Sequence, residues 1–241
     1  MKRRTWFLAT LLFVIGVSVD AAEPQAVKEL RFSALRDVTM KLRMEGPTTA
    51  DVPLQVVCYF KYTPEGAKRM KGAPVELDHE LGGVIGALRE RGDFVGDELE
   101  TLLIVPPAGS IKAKALLLVG LGDERGLSLE VMERVGKVAL REASRLGAGR
   151  VAFAPLIRDQ GNSTLDTGEI ERVVTRGVLL AYDTEKHLQQ EGRARPYNLE
   201  EWEAEAGPAY FDDTKVGLEK GIEEAKTEAA KRSTQPYGAT K

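Results

Sequence analysis

Four short, continuous apolar runs constrain the fold of this chain more than any other feature. They occupy residues 54–60, 101–105, 115–119 and 150–155. Runs of this length and composition are typical of strands buried on both faces of a sheet. Segments with helical periodicity separate them, and this alternation predicts an α/β fold with a mostly parallel, mixed sheet flanked by helices. Residues 27–35 and 38–44 are mixed apolar and polar runs that we expect to pair as opening strands.

Three of the intervening segments carry an apolar stripe at helical spacing. The stripes are Leu77, Leu81, Val84, Ile85 and Leu88 in the first helix, Met132, Val135, Ala139, Ala143 and Leu146 in the second, and Ile170, Val173, Val174, Val178 and Ala181 in the third. Gly92 and Gly147 follow the first two stripes, where a left-handed helix cap is favoured. Ser128 is a predicted N-cap, and Asp166 has capping-box spacing to Glu169.

The first residues have the pattern of a secretory signal peptide. Positive charges at residues 2–4 precede an apolar run over residues 6–19, and Val19 and Ala21 place small residues at −3 and −1 of a cleavage site. We therefore predict a signal peptide over residues 1–21 and a secreted or periplasmic protein, with no stable membrane span after cleavage. The alternative is an uncleaved anchor. Cys58 is the lone cysteine and is predicted to be a buried small hydrophobe.

Charge and composition exclude some function classes. The net charge of −3 gives no basic excess to neutralise a phosphate backbone, which argues against a nucleic-acid partner. Two histidines and one cysteine leave little material for a metal site with nitrogen or sulfur ligands. We predict no bound metal ion, no cofactor and no catalytic residue. Adjacent acidic side chains such as Glu223 and Glu224 point to different sides of a helix and do not converge on one ion. We therefore expect them to be solvent-exposed surface residues.

The C-terminal segment differs in character, and we divide the chain into residues 1–21, an α/β domain over 22–189 and a helical extension over 190–241. Residues 185–195 are polar and predict a linker or a fraying helix. Asn198 and Glu201 have capping-box spacing, which predicts a short helix carrying Trp202. A longer helix over residues 214–232 has a narrow apolar seam of Leu218, Ile222, Ala225 and Ala229. We expect this seam to dock on the chain's own domain rather than on a partner, and residues 233–241 to be disordered.

Part of the sequence resembles the N-terminal domain of the leucyl aminopeptidase family. Residues 77–88, which read L-D-H-E-L-G-G-V-I-G-A-L, are similar to that domain's first long helix, and residues 91–96 and 100–103 resemble the turn and strand that follow. Residues 115–123, A-L-L-L-V-G-L-G-D, resemble a later strand and its glycine-rich turn. The resemblance spans residues 54–183 and implies a macro-domain-like fold. In that family, catalysis belongs to a two-metal C-terminal domain with the signature N-T-D-A-E-G-R, which this sequence lacks.

Two glycine-rich segments are candidates for a ligand loop. Gly82, Gly83 and Gly86 resemble the phosphate loop of ADP-ribose-binding macro domains, where glycines allow the backbone to approach a diphosphate. Gly120, Gly122 and Asp123 follow a predicted strand, where α/β proteins bind ligands. Simpler interpretations are helix–sheet packing for the first set and an ordinary turn for the second. His79 and His187 are predicted surface residues, and no Ser–His–acid set is recognisable.

These observations favour an exported, non-catalytic binding or interaction module. One alternative is a peptidase-family protein of metalloaminopeptidase type. Another is a macro-domain-like binder of a small molecule such as a nucleotide or ADP-ribose. The expected macromolecular partner is a protein of the cell envelope or a second copy of the chain.

Overall fold

The computed structural model describes residues 28–232, which form a seven-stranded mixed sheet with six α-helices. The strands are β1 (Glu29–Ser33), β2 (Thr39–Arg43), β3 (Leu54–Tyr59), β4 (Thr101–Ile104), β5 (Leu116–Gly120), β6 (Arg150–Ala154) and β7 (Glu201–Glu205). Their order is β1-β2-β7-β6-β3-β5-β4. The five inner strands are parallel, while β1 and β4 are antiparallel edges. The predicted α/β class with a mostly parallel sheet is confirmed.

Helices cover both faces of the sheet. They are α1 (Pro64–Arg69), α2 (Ala73–Glu80), α3 (Val84–Arg91), α4 (Leu129–Leu146), α5 (Thr167–Gln190) and α6 (Phe211–Ala229). Apolar residues of α2 and α3 form a smaller core with β3 and β5, whereas α4, α5 and α6 supply the main core on the opposite face. No helix within residues 28–232 is long and apolar enough to cross a membrane.

The single long helix predicted over the first stripe is wrong, because the chain breaks it into α2 and α3. Gly82 and Gly83 separate the two helices with φ values of +69° and +80°, a region that glycine adopts at little cost. Asp78 then caps α3 by accepting hydrogen bonds from the backbone N–H of Ile85 at 2.8 Å and of Gly86 at 3.2 Å. The break changes the helix phase.

The change of phase replaces one predicted core residue. Leu81 and Ile85 are buried as expected, but Leu88 is only half-buried, and Arg89 takes the buried position beside it. Gly92 caps α3 in the left-handed conformation, as predicted.

Strand β4 is not the strand buried on both faces that its composition predicts. It is an antiparallel edge strand whose only neighbour within the described part of the chain is β5, and its burial alternates along the strand. Leu103 and Val105 are 42% and 77% exposed. In α4 the N-cap Ser128 and the C-cap Gly147 are confirmed, while Leu146, expected to face the core, is exposed.

The short helix predicted from Asn198 is wrong, because residues Glu201–Glu205 form strand β7 between β2 and β6. The segment alternates charged and apolar residues with a period of two, which is the pattern of a strand. Trp202 packs on Phe153 in the main core, with ring centroids 5.7 Å apart. Asn198 accepts a hydrogen bond from the hydroxyl of Tyr182. Residues after 190 therefore contribute an inner strand of the sheet.

Helix α6 docks on α5, as the seam predicted. Leu218, Ile222 and Ala225 are buried in the main core, and Ala229 packs against it. The helices approach closely at Gly217, where an added Cβ would lie 2.0 Å from the carbonyl oxygen of Gly168.

The C-terminal part of α5 differs from the prediction in the environment of His187. His187 is half-buried rather than on the surface, since it lies against Arg36 and near Asp183. Of the two alternatives for residues 185–195, the helical one holds up to Gln190, where α5 ends. The predicted signal peptide and the C-terminal residues 233–241 lie outside the described residues.

Candidate functional site

The carboxyl ends of the five parallel strands lie along one edge of the sheet and define the candidate site. The chain leaves β3 toward α1–α3 on one face, and leaves β6 toward α5 on the opposite face. Neighbouring parallel strands whose connections diverge in this way leave a crevice at their carboxyl ends. β3 and β6 are such neighbours.

The side chain of Gln160 crosses this crevice. Its Oε1 accepts a hydrogen bond from the backbone N–H of Phe60 at 2.9 Å, and its Nε2 donates to the carbonyl oxygens of Cys58 at 3.0 Å and Leu156 at 3.1 Å. Gln160 thus joins the end of β3 to the loop after β6. It also lines one of two cavities at this edge, and its neighbour Asp159 lines the other.

The first cavity, which we call the acidic cavity, lies at the ends of β2, β6 and β7 and has a volume of about 340 Å³. Apolar residues such as Met44, Leu156, Ile157 and Ile170 form much of its wall. Its lining also includes five carboxyl side chains, those of Glu45, Glu76, Asp159, Glu171 and Glu205. Arg158 is the one basic residue of this lining. The cavity therefore favours a neutral or cationic ligand over an anion.

Two of these carboxyls are almost fully buried. Glu205 is 8% exposed; its Oε2 accepts a hydrogen bond from Gln55 Nε2 at 2.8 Å, and its Oε1 has no partner. Burial raises the pKa of Glu205 to about 8. Glu171, 4% exposed, accepts a hydrogen bond from the Thr175 hydroxyl at 2.7 Å, and burial raises its pKa to about 7. Both carboxyls can hold a proton near neutral pH.

The loop after β6 shapes the same cavity. Leu156 has a φ of +54°, a conformation that is uncommon for a residue with a Cβ and often marks a functional loop. Arg158 is held by hydrogen bonds to the Thr167 hydroxyl and the Asn162 carbonyl, and its guanidinium lies 5.7 Å from the ring centroid of Tyr210. The basic group of the cavity is therefore fixed before any ligand arrives.

The second cavity, which we call the basic cavity, lies at the ends of β3 and β5 and has a volume of about 680 Å³. Its lining includes four basic side chains, Lys61, Arg69, Arg89 and Arg125, and two acidic ones, Asp123 and Glu124. Three of the four basic groups form ion pairs, with Asp97, Glu124 and Asp123 respectively, but Arg89 does not. The two cavities thus differ in charge.

The predicted ligand-loop residues are not brought together. Gly82 and Gly83 are exposed in the break between α2 and α3, Gly86 sits against Asp78, and none of the three lines either cavity. A Cβ on Gly120 would lie 1.9 Å from the carbonyl oxygen of Asp97. The absence of a side chain at Gly120 therefore allows close packing of the backbone at Asp97, not the approach of a ligand. Gly122 similarly faces Glu98.

Asp123 is the one predicted ligand-loop residue that reaches a cavity. It lines the basic cavity, where its carboxylate accepts a hydrogen bond from the backbone N–H of Arg125 and pairs with that residue's guanidinium. The buried groups Glu171, Glu205 and Arg89 were not singled out from the sequence. Two sequence signals could have identified the glutamates: Glu171 lies within the apolar face of α5, and Glu205 belongs to the two-residue alternation of β7.

Other candidates for chemistry are a metal centre, the thiol of Cys58 and the imidazole of His79. Among residues 28–232, no group of three or more His, Cys, Asp or Glu side chains is arranged to hold a metal ion. Cys58 is fully buried in β3, as predicted, and burial raises the pKa of its thiol. His79 is exposed on α2, also as predicted.

The fold is that of a macrodomain-like α/β protein, as solved structures show. A macrodomain from Oceanobacillus iheyensis superposes with a TM-score of 0.56 at 10% identity, covering 84% of this chain and 98% of that one. The tomato leucine aminopeptidase gives a TM-score of 0.57 at 19% identity, covering 83% of this chain and 37% of the enzyme.

The family is shown by the sequence. The model of the cytosol aminopeptidase family, N-terminal domain, matches residues 56–189, and this chain belongs to that family through that domain. A probable cytosol aminopeptidase of Thermosynechococcus vestitus is 27% identical over 134 residues, which are 56% of this chain and 26% of the relative. One of Persephonella marina is 29% identical over 164 residues, 67% of this chain and 32% of the relative. The chain thus spans a third or less of these relatives.

Proposed function

We propose that this chain is an exported, non-catalytic binding module that holds a small ligand in the acidic cavity. The observation that carries the proposal is the pair of buried carboxyls, Glu171 and Glu205, on the wall of an otherwise largely apolar cavity at the sheet's carboxyl edge. Glu205 has an oxygen without a hydrogen-bond partner. Cavities of this type, mostly apolar with a few fixed polar groups, are typical small-molecule sites.

The charge of the cavity selects the ligand class. Glu45, Glu76 and Asp159 face one guanidinium, and a bound cation would favour the ionised forms of the buried carboxyls Glu171 and Glu205. An ammonium group on an apolar body therefore fits better than a phosphate. A macrodomain of the same fold has been solved with ADP. Its diphosphate would meet repulsion in this cavity, so the nucleotide-binding alternative is less well supported.

The non-catalytic role rests on the domain that the chain matches. The family match covers the N-terminal domain of the cytosol aminopeptidases, and the part of the chain that the structure describes has no metal-ligand group. The alternative is a metalloaminopeptidase activity. Hydrolysis of leucine anilide by the purified protein with added zinc or manganese tests it. Activity that scales with the protein and is abolished by a chelator would contradict the proposal.

Ligand binding is tested with an amine and a nucleotide. We expect hexylammonium to raise the melting temperature of the protein, more strongly at pH 9 than at pH 6 because the buried carboxyls are then more ionised, and any effect of ADP to be the same in wild type and Glu205→Gln. Glu205→Gln should abolish the shift, and the exposed control Glu130→Gln should retain it. Stabilisation by ADP alone, or an amine effect unchanged in Glu205→Gln, would contradict this ligand class.

A protein partner has a separate candidate surface at strand β4. No strand formed by residues 28–232 pairs with the outer side of this edge strand, and Leu103 and Val105 expose apolar surface at alternate positions. Such an edge can pair with a strand of another chain. We propose it as the surface for an envelope partner or for self-association. A concentration-dependent mass in light scattering that Val105→Lys abolishes is the expected result, and a monomer at all concentrations would exclude self-association.

The proposed export rests on the sequence of residues 1–21. N-terminal sequencing of the protein from its native host is expected to begin at Ala22 or Glu23. An intact Met1 would contradict cleavage.

A further inference from the structure

Arg89 is a buried guanidinium on α3. It is 4% exposed, and it donates hydrogen bonds to the carbonyl oxygen of Phe60 at 2.8 Å and to the sulfur of Met70 at 3.4 Å. Its Nε has no partner. The guanidinium lies 4.7 Å from the ring centroid of Tyr59 and 5.5 Å from that of Tyr62. The side chain is therefore fixed in position with a donor unused.

The charge of Arg89 is not neutralised by any carboxylate that the structure describes. Asp78 is the one acidic side chain that contributes to its electrostatic environment, and its Oδ1 already accepts hydrogen bonds from the backbone N–H of Ile85 and Gly86. Burial lowers the pKa of Arg89, but a guanidinium does not give up its proton at physiological pH. A buried charge without a counter-ion is costly.

Arg89 lines the basic cavity, whose volume of about 680 Å³ has room for a small anion. The other three basic groups of the lining are paired with carboxylates at 2.6–3.4 Å, so Arg89 is the one that remains. Two neutral donors share the wall: the hydroxyl of Thr63, which only accepts a hydrogen bond from Gly66, and the amide of Asn162, which donates once, to the Glu124 carbonyl oxygen. A guanidinium with neutral donors around it is a common arrangement for binding an oxyanion.

We propose that the basic cavity binds the carboxylate or phosphate group of a small ligand, with the guanidinium of Arg89 as its counter-ion. This site goes beyond the function proposed above, because it lies in a different cavity and takes the opposite charge. Carboxylate and phosphate share the chemistry that Arg89 recognises, so two probes distinguish them.

The test uses the mature protein and two anions, inorganic phosphate and succinate, each titrated against chloride at constant ionic strength. The Nε–H resonance of Arg89 in ¹⁵N-labelled wild-type protein is the direct readout. We expect a saturable shift with at least one anion. A shift with phosphate alone assigns a phosphorylated ligand, and one with succinate alone assigns a carboxylate.

Calorimetry on variants provides the second readout. Arg89→Gln should weaken anion binding at least about tenfold, since a charged hydrogen-bond pair contributes about 1.5–3 kcal/mol. The control Arg134→Gln changes a half-exposed arginine of α4 that pairs with Glu98 and does not line the cavity; it should bind as wild type does. Absence of a saturable shift with both anions, or an unchanged affinity in Arg89→Gln, would overturn the proposal. If Arg89→Gln does not fold, the wild-type resonance decides.

Discussion

Glu205 retains a proton that a solvated glutamate releases, because burial on β7 disfavours its charged form. The groups around it are Gln55, Glu203, Arg43 and Glu45, and their combined effect leaves its pKa at about 8. The ordinary value is 4.5. Between these two values the unfolded chain releases the proton and the folded chain keeps it. The contribution of Glu205 to the free energy of unfolding is therefore fully present below pH 4.5 and is lost as the pH rises toward 8.

We predict that Glu205→Gln flattens the pH dependence of unfolding. For one such carboxyl the free energy of unfolding falls by up to about 1.4 kcal/mol per pH unit within this window. Urea denaturation at pH 5.5 and pH 8 measures the difference, with Glu130→Gln as the exposed control. Equal pH slopes for wild type and Glu205→Gln would show that Glu205 is ionised in the folded protein.

The two leucines of the broken helix should differ in their contribution to stability. Leu81 is 4% exposed in the smaller core, whereas Leu88 is half-buried. We expect Leu81→Ala to lower the free energy of unfolding by about 2–5 kcal/mol and Leu88→Ala by less than about 2 kcal/mol. Chemical denaturation ranks the two variants. If Leu88→Ala proved more destabilising than Leu81→Ala, the result would contradict the break between α2 and α3.

The pair of helices α5 and α6 depends on glycines at their contact. A Cβ on Gly217 would lie 2.0 Å from the carbonyl oxygen of Gly168, and one on Gly221 would lie 2.5 Å from that of Arg172. We predict that Gly217→Ala separates the helices and lowers the melting temperature by several degrees, about 2–4 °C for each kcal/mol lost. Gly126→Ala is the control, since a Cβ there meets no atom within 4 Å. A higher melting temperature for Gly217→Ala would show that helix propensity outweighs the contact.

Elements with a strong local signal could be predicted from the sequence. Strands β3 and β5 are continuous apolar runs, and α4 and α5 begin at Ser128 and Asp166, whose side chains accept hydrogen bonds from the first turn. The failures occur where two local signals compete. At Glu201–Glu205 the capping-box spacing suggested a helix, while the two-residue alternation and the place between β2 and β6 favoured a strand.

The candidate site was less predictable, because it depends on contacts distant in sequence. Glu171 is one of several charged residues on α5, and its burial follows from the packing of α5 in the main core. Arg89 is buried together with Ile85 on α3, and the break at Gly82 and Gly83 sets the phase of α3 relative to α2. The position of Glu171 on the apolar face of α5 is a weak local signal, and no local pattern identifies Arg89.

At the scale of the whole molecule, β7 holds the sheet together. We predict that a chain ending at residue 200 does not unfold cooperatively, because β2 and β6 lose the strand that joins them. Trp202→Phe keeps the strand and most of the buried volume, so it should retain a cooperative transition. Circular dichroism on heating compares the two. A cooperative transition in the shortened chain would show that residues before 201 fold independently.

The position of β7 also determines the order in which the sheet can be assembled on the ribosome. The β1–β2 hairpin precedes the other strands in the chain, yet among residues 28–232 the only strand that connects it to the rest of the sheet is β7, about 160 residues later. Until those residues emerge, the hairpin's inner edge has no partner and its apolar side chains have no sheet to pack on. A nascent chain of this protein therefore has a long interval in which chaperones can hold it unfolded.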